Sequence, residues 1–189
     1  MRLLDSLEIR GNRDAFVVLT GQTLKLKGLE MIREMLGIAE GILQDLHNDH
    51  GEVDTLLGRI MDSKDGGERA RLFSEITSKL LPHLQAEQEI LYRRLENGKD
   101  EESRKFGHEG ASEHRIVEQQ VDKMTGMGDR MSDRWTAELK VLQDLIEHHV
   151  NEEESTGFSC ARDEFDKEQL EAMSLEFQTR KAEIGTRVA

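Results

Sequence analysis

Residues 73–90 have the sequence FSEITSKLLPHLQAEQEI, in which apolar residues recur every three or four positions. This spacing places them on one face of an α-helix, as is typical of a helix packed in a bundle. Two positions on the same face are polar: His83 and Glu87, which lie one helical turn apart. Pro82 removes one backbone hydrogen bond just before His83, and we expect a local kink there rather than a break.

Three other segments have the same helical stripe, each with a polar interruption. The first starts at Leu29 and has His50 where one apolar step is missing. The third contains His114, and the fourth repeats the polar pair as His149 and Glu153. The shift from His50 to His114 is 64 residues, and the two His-x-x-x-Glu pairs are 66 residues apart. We therefore predict a duplicated helical hairpin that closes into an all-α, antiparallel up-down four-helix bundle.

The remaining segments flank this predicted bundle. Residues 1–28 have no clear periodicity and form an N-terminal arm without an assigned structure, whereas residues 29–158 form the bundle. Residues 159–189 form a C-terminal extension, in which the apolar spacing over residues 166–184 predicts a shorter fifth helix that docks on the bundle. The arm or the fifth helix would provide the surface for a homodimer or for a protein partner.

Composition excludes several classes of function. The chain has 26 basic and 39 acidic residues, and the net charge of −13 opposes binding to nucleic acid or to an anionic membrane. No apolar run approaches the ~20 residues of a membrane helix, and no signal peptide is recognised, so we expect a cytoplasmic protein. Cys160 is the one cysteine, which excludes an intrachain disulfide and an all-cysteine metal site.

The polar residues of the four stripes would meet inside the bundle. A buried carboxylate without a partner costs several kcal/mol, and a bound cation offsets that cost. Nitrogen and oxygen donors, with two carboxylates able to bridge, favour two iron ions with an oxo or hydroxo bridge. Manganese or zinc could replace iron, and positions would remain open for a small ligand such as O2 or NO. The predicted metal ligands are His50, His83, Glu87, His114, His149 and Glu153.

This order of motifs resembles the hemerythrin HHE cation-binding family. The resemblance covers residues 29–158 and includes Asp49-His50, residues 83–92 and residues 149–154. It implies a non-haem di-iron centre that binds dioxygen, or nitric oxide in some relatives, or that serves iron sensing or repair. Relatives that repair iron–sulfur clusters have a cysteine-bearing N-terminal region, whereas this chain has no cysteine before Cys160.

One position departs from the family pattern. Oxygen-carrying hemerythrins have a further histidine one turn before the position of His114, where this chain has Gly110. Gly107 and Gly110 would allow close helix packing, or they would leave room for a diatomic ligand or a water channel. The candidates for an additional ligand are His47, Asp54 and Glu118, of which His47 is the leading one.

Other conspicuous side chains have simpler interpretations. His108 and His148 lie off their stripes and should be at the surface, and Glu152 and Glu154 should face water. Trp135 begins the fourth stripe and is expected to pack in the core.

The leading hypothesis is a di-iron protein that binds dioxygen or a related small molecule as a sensor, buffer or signalling module. The second is a di-iron peroxidase, oxidase or nitric-oxide-handling enzyme at the same centre. No catalytic residue is predicted, because the sequence indicates no substrate pocket or proton relay. The third is a helical interaction protein whose metal site is structural or senses iron.

Overall fold

The computed structural model describes residues 40–188. Within this range the chain forms five long helices and no strand. Their bounds are α1 Ile42–Asp62, α2 Gly66–Glu87, α3 Glu101–Thr125, α4 Asp133–Glu152 and α5 Lys167–Val188.

Two of these helices continue through a wider, π-helical turn. After α2 this turn is Gln88–Tyr92, followed by one α-helical turn, Arg93–Leu95. After α4 the turn is Glu153–Gly157, followed by the helix Phe158–Glu164. A π-helical turn shifts the side chains that follow it relative to a regular α-helix and is frequent at functional sites. Both turns start within one residue of the glutamates that the sequence analysis selected.

Polar side chains define where the helices begin. Asp65 accepts a hydrogen bond from the backbone N–H of Glu68 before α2, and Asp100 caps α3 through the N–H groups of Glu102 and Ser103. Such caps satisfy N–H groups that have no partner inside the helix. These caps place the starts of α2 and α3 directly after Asp65 and Asp100.

The first four helices form an antiparallel up-down bundle, as predicted. Helix α1 packs on α2, α3 packs on α4, and contacts of α1 with α4 and of α2 with α3 close the bundle. Leu43 near the start of α1 shares an apolar cluster with Leu95 beyond the end of α2, as antiparallel neighbours must. Helix α2 runs unbroken through Pro82.

Two apolar clusters fill the interior. One contains the second half of α1 and the first half of α2, together with Val117, Trp135 and Ile146. The other contains the start of α1, the residues after α2, the helix Phe158–Glu164 that follows α4, and the inner face of α5. The selected histidines and glutamates belong to neither cluster. Along each helix they lie at or near the point where the buried residues change from one cluster to the other. A polar layer therefore separates the two halves of the core.

Among the described residues, the helix that contains His50 begins later than the apolar stripe predicts. We predicted it from Leu29, but Gly41 has a positive φ of 55° and α1 starts at Ile42. A Cβ atom at Gly41 would lie 2.5 Å from the backbone of Leu170, so this glycine also allows the start of α5 to approach closely. Residues 1–39, which include the predicted arm and the early part of the stripe, lie outside the described residues.

Helix α5 is as long as its neighbours, with 22 residues, rather than shorter as predicted. It docks along α1 and α2 and buries Leu170, Met173, Phe177 and Ile184. No helix among residues 40–188 is long and apolar enough to cross a membrane.

Candidate metal centre

All six residues selected as metal ligands are buried in the polar layer. The exposed fraction is 7 % for His50, and Glu87 and Glu153 are completely buried. The remaining members are His83, His114 and His149, none more than 3 % exposed. Helices α1 and α3 each contribute one histidine, whereas α2 and α4, with the turn that follows α4, each contribute a histidine and a glutamate.

Contacts within this group run mainly between the two hairpins. The Nε2 atom of His50 on α1 is 3.1 Å from Oε2 of Glu153, which follows α4. The Nε2 atom of His114 on α3 is 3.4 Å from Oε2 of Glu87 on α2. These two contacts correspond to each other under the sequence duplication. Each hairpin therefore contributes a carboxylate that contacts a histidine of the other hairpin.

Three of the six residues form the tightest group. Glu87, His114 and His149 each present a ligand atom within 4.8 Å of the other two. The Nε2 atoms of His114 and His149 are 3.1 Å apart, and Nε2 of His83 is 3.4 Å from Glu87 Oε2. This combination of imidazole nitrogens and a carboxylate suits a transition-metal ion.

Several atoms at the centre lack a well-aligned hydrogen-bond partner among the described residues. They are both carboxylate oxygens of Glu87, Oε2 of Glu153, Nε2 of His50 and Nδ1 of His114. A buried polar atom without a partner costs free energy, and protein interiors contain few of them. The polar layer is therefore unfavourable for the metal-free chain and is suited to holding a cation.

The two carboxylates influence each other's protonation. Burial raises the pKa of Glu153, and the neighbouring Glu87 carboxylate raises it further. Burial also acts to raise the pKa of Glu87, but hydrogen bonding to Glu153 and His83 outweighs it, so that this pKa falls to about 2. Glu87 is thus the carboxylate that remains ionised when the pair shares a proton.

The histidines are also in unequal environments. Burial lowers the pKa of His50, but hydrogen bonds to Glu153 and Glu154 outweigh it and raise this pKa to about 10. The pKa of His114 lies well below 6.5 because the ring is buried and the charge of His149 is close. A neutral His114 ring can offer a lone pair, as a metal ligand must.

Two carboxylates outside the predicted set orient ligand-bearing histidines. Asp49 Oδ2 is 2.9 Å from Nδ1 of His83, and Glu113 Oε2 is 2.9 Å from Nδ1 of His149. Asp49 and Glu113 are 64 residues apart, the same shift that relates His50 to His114. Sequence analysis missed their role, although a carboxylate just before the histidine in both copies of the hairpin was a usable signal.

Glu154 does not face water as predicted. Its Oε1 atom lies 2.9 Å from Nδ1 of His50 and 3.0 Å from Nδ1 of His47, and the side chain is 30 % exposed. The π-helical turn that starts at Glu153 explains the difference, because it lets two consecutive glutamates point toward α1. Glu152, by contrast, is exposed as expected.

Tyr92 fills the space beside Gly110. A Cβ atom at Gly110 would lie 2.5 Å from Cε2 of Tyr92, so this glycine provides neither an open channel nor room for a ligand. The tyrosine is completely buried, its hydroxyl donates to Oε1 of Glu153 over 3.1 Å, and its ring lies 4.9 Å from that of His114. Of the two interpretations of Gly110, close packing is correct. Tyr92 reaches this position because it ends the π-helical turn after α2.

The candidates for an additional ligand lie farther out. The side chain of His47 is 57 % exposed and contacts Glu154. Asp54 is exposed and Glu118 is half-buried. His108 and His148 are at the surface as predicted, with side chains 70 % and 65 % exposed.

A very small cavity adjoins the centre. Its volume is about 10 Å³, and its lining includes His50, His83 and His149. Most of the other lining residues are aliphatic, including Leu80, Val117 and Ile146. A wider cleft of about 260 Å³, lined by His47, Glu154 and Asp54, reaches His50 from the surface.

A four-helix bundle with a buried layer of histidines and glutamates defines the class as a metal-binding helical protein. The chain belongs to the hemerythrin family, since residues 41–161 match the family described as the hemerythrin HHE cation binding domain. A relative named "DNA nickase", from Nostoc sp. (strain PCC 7120), is 29 % identical over 147 residues. The match covers 77 % of this chain but only 41 % of that relative. No solved structure matches the chain significantly.

Proposed function

We propose that the polar layer holds two iron ions and binds dioxygen or nitric oxide reversibly, so that the protein acts as a sensor, buffer or signalling module. The convergence of buried ligand atoms that lack well-aligned hydrogen-bond partners is the observation that carries this proposal. The proposed ligands are His50, His83, Glu87, His114, His149 and Glu153. Bound iron would supply open coordination positions and reversible electron transfer to a diatomic molecule.

The donor set fits this group of ions. Each hairpin offers two imidazoles and one carboxylate, and the contacts of Glu87 with His83 and His114 suit a bridging role. Asp49 and Glu113 accept hydrogen bonds at Nδ1 of His83 and His149, which leaves Nε2 of each ring to face the centre. The hydroxyl of Tyr92 donates a hydrogen bond to Oε1 of Glu153 and so restrains that carboxylate.

The size and polarity of the small cavity favour a diatomic ligand. A volume of about 10 Å³ is close to the minimum that admits one water-sized molecule. Most of the lining beside the histidines is aliphatic, and these side chains provide no hydrogen bond to hold an organic substrate. The cavity therefore favours a ligand of a few atoms, such as dioxygen or nitric oxide, over an organic substrate, which would not fit.

Metal content and an optical spectrum test the proposal directly. Protein prepared with iron should contain two ions per chain and should show an absorption band that appears on exposure to oxygen and disappears on removal of the gas. Bound iron with a spectrum indifferent to oxygen and nitric oxide would contradict the gas-binding function and favour a structural or iron-sensing site.

The variant Val117→Ile should weaken gas binding without loss of metal. Val117 is 1 % exposed and lines the small cavity, so one added methyl group competes for the space of the ligand. A single methylene group in a tight apolar pocket changes affinity roughly 10-fold or more. Gas titration of the iron-loaded variant measures this change, with the exposed Val141→Ile as the control. An unaltered affinity would show that the ligand binds elsewhere.

A second candidate function is metal-dependent cleavage of one DNA strand, which the name of the Nostoc relative suggests. Paired metal ions can catalyse phosphodiester hydrolysis, but the net charge of −13 opposes DNA binding by this chain alone. Conversion of supercoiled plasmid to the nicked form by metal-loaded protein, lost in Glu87→Gln, would establish this activity. We expect no nicking.

A further inference from the structure

Helix α5 reaches the polar layer through Lys181. The ammonium group of Lys181 donates to both oxygens of Asp49, over 2.8 Å to Oδ1 and 2.6 Å to Oδ2. Asp49 in turn lies 2.9 Å from Nδ1 of His83. A continuous chain of hydrogen bonds therefore connects the C-terminal helix to a proposed ligand. Lys181 lies beyond residues 41–161, so it belongs to the extension rather than to the matched domain.

The same helix also contacts the ring of His83 directly. The ring of Phe177 lies at 90° to the ring of His83, with 5.7 Å between the centroids. Nζ of Lys181 lies 5.1 Å from the centroid of the Phe177 ring. His83 is thus held at Nδ1 by the Asp49 carboxylate and is packed against the ring of Phe177.

The duplicated hairpin provides an internal comparison. Glu113, the counterpart of Asp49, orients His149 in the same way but has His148 as its other partner, at 3.3 Å. The side chain of His148 is 65 % exposed, whereas that of Lys181 is 24 % exposed. The fifth helix therefore adds a half-buried cation to one half of the centre, and a surface histidine takes the same place in the other half.

We propose that Lys181 is a positioning residue of the metal centre, which acts on His83 through Asp49 and makes α5 part of the site. By fixing the Asp49 carboxylate, Lys181 keeps Nδ1 of His83 engaged and Nε2 directed at the centre. Because coupling between two binding events is reciprocal, metal held by His83 stabilises the docked position of α5. The role of His83 as a ligand rests on the proposed function, whereas the hydrogen-bonded chain does not.

The variant Lys181→Met removes the cation and keeps a similar apolar stem. Arg180→Met is the matched control, because Arg180 precedes Lys181 on the same helix and makes two hydrogen bonds to Glu89, which is not one of the six proposed ligands. Lys181→Arg tests rescue, since it restores a cation that can reach Asp49. Circular dichroism and thermal unfolding of each variant establish that α5 remains folded and docked.

In metal-free protein, nitrogen-15 NMR of the histidine rings tests the series of hydrogen bonds from Lys181 through Asp49 to His83. Lys181→Met should shift the ring signals of His83 and leave those of His149 unchanged, and Arg180→Met should alter neither. Unshifted His83 signals in a folded Lys181→Met variant would overturn the proposal, whether or not the protein binds metal.

In metal-loaded protein, affinity and hydrogen exchange test the coupling. Loss of a group that supports a metal-ligating histidine typically weakens metal binding about 10–100-fold, and we expect this range for Lys181→Met with Mn²⁺ as the probe. Lys181→Arg should recover most of the loss, and Mn²⁺ should slow amide exchange along α5 in the parent protein and in Arg180→Met but not in Lys181→Met. Equal affinities of Lys181→Met and Arg180→Met would refute the positioning role. If the parent fails to bind metal, the proposed function fails and the NMR result still decides the hydrogen-bonded chain.

Discussion

Glu87→Gln should abolish the stabilisation that metal provides and should also lower the melting temperature of the metal-free protein slightly. Glu87 is completely buried, and neither of its carboxylate oxygens has a well-aligned hydrogen-bond partner among the described residues. Its neighbours nevertheless lower its pKa to about 2, so the ionised carboxylate contributes to the stability of the folded state at neutral pH, and a neutral glutamine loses that contribution. The same change removes a proposed metal ligand, so the metal-dependent rise in melting temperature should disappear.

Thermal unfolding with chelator and with excess Fe²⁺ or Mn²⁺ measures both effects. A ligand present at 1,000 times its dissociation constant stabilises the folded state by about 4 kcal/mol. For a chain of this length, that corresponds to a rise of roughly 8–16 °C in the melting temperature of the parent protein. We expect a rise close to zero for Glu87→Gln. The control is Glu109→Gln, an exposed carboxylate on α3 that should behave like the parent.

The contrary result is equally informative. If Glu87→Gln gains as much stability from metal as the parent does, Glu87 is not a metal ligand and belongs to a structural hydrogen-bond network. The metal site would then be assigned instead to Glu153, His50 and their partner Glu154.

Periodicity in the sequence was sufficient to predict the bundle and the convergence of the six polar residues. A histidine or glutamate in an apolar helical stripe must enter the core if the stripe does, so His50 and Glu153 could be selected without coordinates. The duplication also predicted the order of the helices, because two similar helical hairpins that pack on each other form an up-down four-helix bundle.

The remaining features depend on local geometry that helical periodicity does not contain. A π-helical turn moves side chains out of the regular register, and for this reason Glu154 was expected in water and Tyr92 received no role. The start of α1 depends on the approach of Leu170 to Gly41, a contact between residues far apart in the sequence. The link from Lys181 to Asp49 likewise requires the docked position of α5.

Gly110→Ala should destabilise the protein strongly, although alanine is normally favourable within a helix. The new Cβ atom would lie 2.5 Å from Cε2 and 2.7 Å from Cζ of Tyr92, closer than packed carbon atoms can approach. Overpacking typically costs about 1–3 kcal/mol. Displacement of Tyr92 also breaks its hydrogen bond to Glu153, worth roughly 1.5–3 kcal/mol for a charged acceptor. Thermal unfolding should show a loss of about 5–24 °C.

Second substitutions at Tyr92 distinguish this cause from a general effect on α3. Tyr92→Phe should not rescue Gly110→Ala, because the clash is with ring carbons that phenylalanine retains. Tyr92→Leu should restore part of the stability, since it removes the ring, yet it leaves Glu153 without its donor. Gly58→Ala is the matched control, because a Cβ atom there meets nothing within 4 Å and should stabilise α1 by about 0.5–1 kcal/mol. Equal effects of alanine at Gly110 and Gly58 would mean that Tyr92 moves aside freely, and Tyr92 could then not restrain Glu153.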